Sequence, residues 1–211
     1  DEFCLLQIKP MVIGGLEQSK HLITNNEIDR ICKSNVVLGD GTIDNIFNIL
    51  YIHPDSFDRA LTSNITKEIE ILNRQLGKNN PYLLIGPGRW GTADPWLGIP
   101  VNWKQISYAK VIVELGLEEL NPEPSFGSHF FQNVTSLRIG YFTIKKSDEY
   151  VNIDMDWLSS QPVVQSTKYI RWIKLENPLM IHIDGSIGEG SIIKTKLNQT
   201  QIKTEGESTG I

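Results

Sequence analysis

Cysteine is scarce in this chain. Cys4 and Cys32 are the two present, too few for a disulfide scaffold or a cysteine-rich zinc cluster. A reducing, cytoplasmic setting is the expectation. Long apolar runs are missing as well. Nothing approaches the ~20 residues that a membrane span needs, so no membrane association is expected. Basic excess is absent: 20 Lys and Arg stand against 25 Asp and Glu, a net charge of −5. Nucleic-acid-binding modules carry a basic footprint, so no nucleic-acid partner is expected. No His/Cys/Asp/Glu cluster has ligand spacing, and no metal site is expected in this chain. There is no Gly-x-Ser-x-Gly elbow for a hydrolase. The opening Asp1-Glu2-Phe3 lacks a leader-like stretch and an initiator Met, the pattern expected of a piece of a longer protein.

What is present is ordinary globular composition. Of 211 residues, 40% are hydrophobic and 21% charged, enough to bury a core. Short strand-like runs dominate: Phe3–Ile8, Val36–Leu38, Ile46–Ile52, Tyr82–Ile85, Lys110–Glu114, Ile139–Ile144, Val163-Val164, Tyr169–Leu175, Leu179–Ile183 and Ser191–Lys194. Helices are fewer. Asn25 or Asn26 is read as capping a short one through Ile31, and Pro54-Asp55 opens another. Ile65, Ile69, Leu72 and Leu76 recur at helical spacing before Gly77, with Ser63 or Thr66 as cap. Phe126–Leu137 reads as a further helix. Many strands and few helices give an α+β class built on mixed β-sheets. A weak boundary falls near Lys78-Asn79-Asn80, and after Lys196 the chain is polar without apolar period.

The most conspicuous motif is Gly86-Pro87-Gly88-Arg89-Trp90-Gly91. It imitates the glycine fingerprint of dinucleotide-binding folds, with Glu114 as the later acidic residue. That fingerprint requires a helix directly after the third glycine, and Pro95, Gly98 and Pro100 oppose one. Two other readings stand. One is a tight loop in which Trp90 and Trp96 pack on the core. The other is an anion-binding loop in which Gly86 and Gly88 leave backbone donors accessible beside Arg89.

Of the four histidines, His129 has the informative context. It follows Ser125-Phe126-Gly127-Ser128 and starts the helical run. Unpaired N–H groups at a helix start favour incoming negative charge, and neutral imidazole is a competent nucleophile near pH 7. That combination suits a phosphoryl carrier. The alternative is a buried histidine bonded to the backbone.

A family resemblance joins these features. Glu2-Phe3-Cys4-Leu5-Leu6-Gln7-Ile8-Lys9-Pro10 resembles the closing strand of the ATP-grasp domain in pyruvate phosphate dikinases and phosphoenolpyruvate synthases. Gln7 matches that family's active-site glutamine, and Lys9 stands where it has a phosphate-contacting arginine. Ala109–Val113, Gly127-Ser128-His129 and Ile181–Gly190 resemble the strand, histidine loop and closing turn of its swivelling phosphohistidine domain. The run from Gly86 through Val101 is the stretch most specific to the related long bacterial proteins of PEP/pyruvate-binding type.

The resemblance implies an organisation and a chemistry. Residues 1–10 would be the last strand of an ATP-grasp domain, 11–79 a connecting α/β segment, 80–196 a swivelling-like β/β/α domain and 197–211 a polar tail. The parent would be an ATP-dependent phosphotransferase with His129 as carrier, Arg89, Gly86 and Gly88 at the phosphate, and Gln7 and Lys9 as a remnant of the nucleotide site. ATP and Mg²⁺ would belong to the parent, with no cofactor in the fragment and no activity of its own. The rest of the parent chain would be its partner, and pyruvate or phosphoenolpyruvate a candidate acceptor. The rival expectation is a non-catalytic ligand-sensing or interaction module appended to an ATP-grasp domain.

Overall fold

The computed structural model describes residues 29–94, 96–117, 129–145 and 152–195. The strand expected over residues 3–8, with Gln7 and Lys9, and the tail 197–211 lie outside them. The described strands are β1 (Arg30–Ser34), β2 (Val37–Leu38), β3 (Asp40–Ile52), β4 (Tyr82–Pro87), β5 (Arg89–Trp90), β6 (Gly98–Ile99), β7 (Ala109–Leu115), β8 (Gly140–Ile144), β9 (Asn152–Ile153), β10 (Val163–Ser166), β11 (Ile170–Asp184) and β12 (Glu189–Ile193). The helices are α1 (Thr62–Leu76), α2 (His129–Ser136) and α3 (Met155–Ser160). The class is α+β, with a large mixed sheet and few helices.

Strands β3, β4, β7 and β8 lie side by side and parallel, in chain order. Beyond β3 the sheet turns antiparallel through β11, β12, β1 and β9. At its other end β8 pairs antiparallel with β2. Because β1 and β2 are separated only by Asn35 and Val36, one short run of chain bonds to β8 at one end of the sheet and to β12 and β9 at the other, so the sheet curls round on itself. Ser34 stitches this corner: its hydroxyl donates to Thr143 O at 2.6 Å. Across the enclosed space, a Cβ on Gly140 of β8 would lie 2.7 Å from Ile183 of β11. One on Gly190 of β12 would meet the Phe142 ring at the same distance. Strands far apart in the sheet order thus touch through its interior.

Two apolar cores result. The enclosed one gathers Ile49, Leu83, Val111, Phe142, Ile181 and their neighbours. The other lies on the opposite side of the parallel strands, where α1 contributes Ile65, Ile69, Leu72 and Leu76 and α2 contributes Phe130 and Val134. The helical spacing of α1 made that face predictable.

Several expectations need correction. Arg30 and Ile31 belong to strand β1, where Ile31 is buried, and not to a helix. Neither Ser63 nor Thr66 caps α1: it begins at Thr62, directly after a 3₁₀ turn that Asp58 caps. The two strands expected over 169–175 and 179–183 are one, β11. Its pairing with β3 slips between Lys174 and Leu179, where Pro178 has no N–H for the ladder. The boundary expected at 79/80 falls in the connection from α1 to β4, and the strands on either side of it share one sheet.

Candidate functional site

Parallel strands present their carboxyl ends at one edge, the usual place for a ligand in such sheets. Here β4 runs into Gly88, whose φ of 69° lets the chain turn sharply. The two-residue β5 follows and pairs with β6. The turn is held firmly. Gly88 N donates to Leu115 O (2.8 Å), Arg89 N to Leu97 O (2.9 Å) and Gly91 N to Ile99 O (2.9 Å). Trp90 N donates to Glu114 Oε1 at 2.8 Å, and its indole N–H to Val113 O at 3.2 Å.

These bonds answer the motif's three readings unevenly. No helix follows Gly91, so the dinucleotide geometry is missing. The N–H groups of residues 88–91 are all engaged within the protein, so Gly88 offers no donor to an anion. Gly86 lies inside the β4–β7 ladder opposite Glu114. A Cβ there would lie 2.4 Å from the Trp90 ring; its smallness makes room for the indole. The tryptophans divide: Trp90 is 3% exposed and packs as expected, whereas Trp96 is 64% exposed and does not. An anion contact at this turn therefore rests on the Arg89 side chain. Arg89 is half-buried, and apart from its charge interaction with Glu114 and Tyr141 its side chain has no partner among the described residues.

The second motif arrives at the same place. His129 is the first residue of α2; Gly127 and Ser128 lie outside the described residues. The ring of the next residue, Phe130, packs on Gly91 so closely that a Cβ there would fall 2.3 Å from it. Phe130 also meets Trp103 edge-on, with centroids 6.3 Å apart. Two motifs some forty residues apart in sequence are thus neighbours at the carboxyl ends of β4 and β7.

Between them lies Glu114, which the sequence offered only as the end of a strand and the acidic residue of the dinucleotide fingerprint. Glu114 is fully buried. Its Oε1 is bonded to Trp90 N, and its Oε2 has no hydrogen-bond partner within reach. Burial pushes its pKa up to about 7, against smaller opposing effects from the Tyr141 hydroxyl, the Trp90 N–H and the Arg89 charge. Thr143, its register partner on β8, also carries a buried hydroxyl with no partner. Burial likewise raises the Tyr141 phenol, and the neighbouring Glu114 carboxyl adds to the effect. An acidic residue inside Val111-Ile112-Val113-Glu114-Leu115 was the available signal, since a lone carboxylate in an apolar strand has no reason to be there for solubility.

The other histidines lie elsewhere. His53 accepts from Asp55 N at the start of a 3₁₀ turn, and His182 Nδ1 meets Thr42 Oγ1 at 3.0 Å. Cys32 is buried, and burial raises its thiol pKa, which makes it inert. Among the described residues no group of three His, Cys, Asp or Glu could hold a metal ion, and no helix is long and apolar enough to cross a membrane.

The fold and site define a curled mixed sheet with a polar cluster at the carboxyl ends of its parallel strands. No family model, curated protein or solved structure matches the chain.

Proposed function

We propose that this chain is the C-terminal region of an ATP-dependent phosphotransferase of the phosphoenolpyruvate synthase and pyruvate phosphate dikinase type, with a swivelling phosphohistidine-like domain and His129 as phosphoryl carrier. The observation that supports it is Arg89, which is half-buried and has no hydrogen-bond partner for its side chain among the described residues. It lies in the turn on which the residue after His129 packs. A guanidinium meets a phosphoryl group bidentately. The start of α2 adds backbone N–H groups and a favourable dipole. Catalysis in this reading is positioning and charge stabilisation, with ATP and Mg²⁺ held by the parent's ATP-grasp domain.

The test is incubation of the full-length protein with labelled ATP. An acid-labile, base-stable phosphoprotein that disappears in His129→Ala is expected. Labelling that persists at the wild-type level in that variant removes His129 as carrier. A second reading has its own support. The glycines at 86 and 91 are explained by packing, and residues 88–91 offer no backbone donors. A non-catalytic ligand-sensing or interaction module needs no more than that, and it predicts no labelling at all.

A further inference from the structure

The Glu114 carboxyl is placed where its charge must answer to whatever Arg89 holds. It is fully buried, half-bonded and one residue from the turn carrying Arg89 by way of the Trp90 N–H. We propose that Glu114 is a proton-linked positioning residue for the Arg89 site: when an anion of phosphoryl type binds the guanidinium, the Glu114 carboxylate takes up a proton from solvent.

The argument is electrostatic. Arg89 supports the ionised carboxylate by charge. An anion on the guanidinium withdraws that support and adds a negative charge of its own, and the buried carboxylate is poorly screened by water from either effect. Protonation then relieves the repulsion. The added hydrogen sits on Oε2, the buried oxygen that has no hydrogen-bond partner. Oε1 keeps its bond from Trp90 N throughout, so the turn stays in place. Among the described residues, the charged or titratable groups facing Glu114 are Arg89 from β5 and Tyr141 from β8. Strand β4 presents Gly86 there, and the described side chains that α2 adds to this core, Phe130 and Val134, are apolar. Since Tyr141 stays neutral, with its phenol raised, Glu114 is the group among these that titrates near neutrality. By reciprocity, raising the pH must weaken anion binding.

This inference rests on the proposed role of Arg89. The probe is sulfate, whose charge is constant over the range used, titrated calorimetrically into the full-length His129→Ala protein so that the His129 imidazole contributes nothing to the proton count. The affinity is expected to fall by about five-fold or more between about pH 6 and about pH 8. Up to one proton should be taken up per sulfate near pH 7, read from two buffers of different protonation enthalpy. Glu114→Gln keeps an acceptor for Trp90 N and cannot ionise; both effects should vanish in it. If that variant does not fold, the proton count in the parent protein carries the test alone. Sulfate binding lost in Arg89→Ala but accompanied by no proton uptake overturns the proposal, as does an absence of sulfate binding. Labelling of His129 by ATP without the proton linkage overturns this proposal alone. Proton linkage without labelling overturns the phosphotransfer reading alone.

Discussion

The two faces of the parallel strands have different characters. The enclosed face is mainly apolar from β3 round to β12, filled by Ile, Leu, Val, Cys32 and the Tyr51 and Phe142 rings. The helix-covered face mixes its apolar side chains with buried polar ones. Asn73 of α1 accepts from Tyr82 OH (2.9 Å) and Tyr108 N (3.1 Å) and donates to Ser107 Oγ, while Glu114 ties down Trp90. The enclosed face gains its stability by exclusion of water, which asks only for volume and shape. The helix-covered face uses directional bonds to fix where particular turns lie, and the candidate site is on it.

If that contrast is right, the largest loss comes from the enclosed side. Phe142→Ala should cost about 3–5 kcal/mol in urea denaturation, because the ring fills the space against Gly190 and Val37 and nothing can collapse into it. A loss under about 1 kcal/mol would mean that the curled interior is loosely packed.

The next effect depends on pH. The folded-state pKa of Glu114, about 7, lies above its ordinary value of 4.5, so the folded state holds the proton more tightly than the unfolded one. Stability from this group is complete below about pH 4.5 and is lost as pH rises through 7, a deficit of about 3 kcal/mol at higher pH. Glu114→Gln should therefore gain stability relative to wild type on going from acid to mildly alkaline solution. Parallel pH–stability curves for the two proteins would sink the prediction.

Asn73→Ala should follow, at about 2 kcal/mol, since it orphans the Tyr82 hydroxyl and the Tyr108 N–H on a face where water cannot replace it. Tyr82→Phe with Asn73→Ala should recover part of that loss; an additive double variant would deny the coupling. The smallest effect lies outside both faces. Asp154 caps α3 through Trp157 N and pairs with Lys194 at 2.7 Å near the surface. Asp154→Ala should cost about 1 kcal/mol, read as a small drop in melting temperature.

Much of the fold was legible in the residues. The period of Ile65, Ile69, Leu72 and Leu76 gave α1 and its buried face, Gly77 gave its end, and the apolar runs at 82–85, 110–114 and 139–144 gave three of the four parallel strands nearly to the residue. These are local signals, in which side-chain spacing alone decides the element. Strand β1 was missed because Arg30–Ser34 carries charges at both ends of a short apolar pair, and its pairing with β12 and β9 is what holds it extended. The continuity of β11 was missed because a proline ordinarily ends a strand, and a bulge opposite β3 accommodates this one.

By itself the sequence determined the class, the helix face of α1, and the two motifs worth watching, Gly86–Gly91 and the run into His129. It could say nothing of their meeting. That meeting depends on β4 and β7 being parallel neighbours and on Phe130 fitting against Gly91, both products of long-range packing. Tertiary structure also decided what the glycines are for, since only the position of the Trp90 ring explains Gly86. Glu114 is the clearest case. Its charge is written in the sequence, but its burial, its bond to Trp90 N and its raised pKa come from the strands and side chains that close over it, because a carboxyl's proton affinity is set by the groups and the water around it.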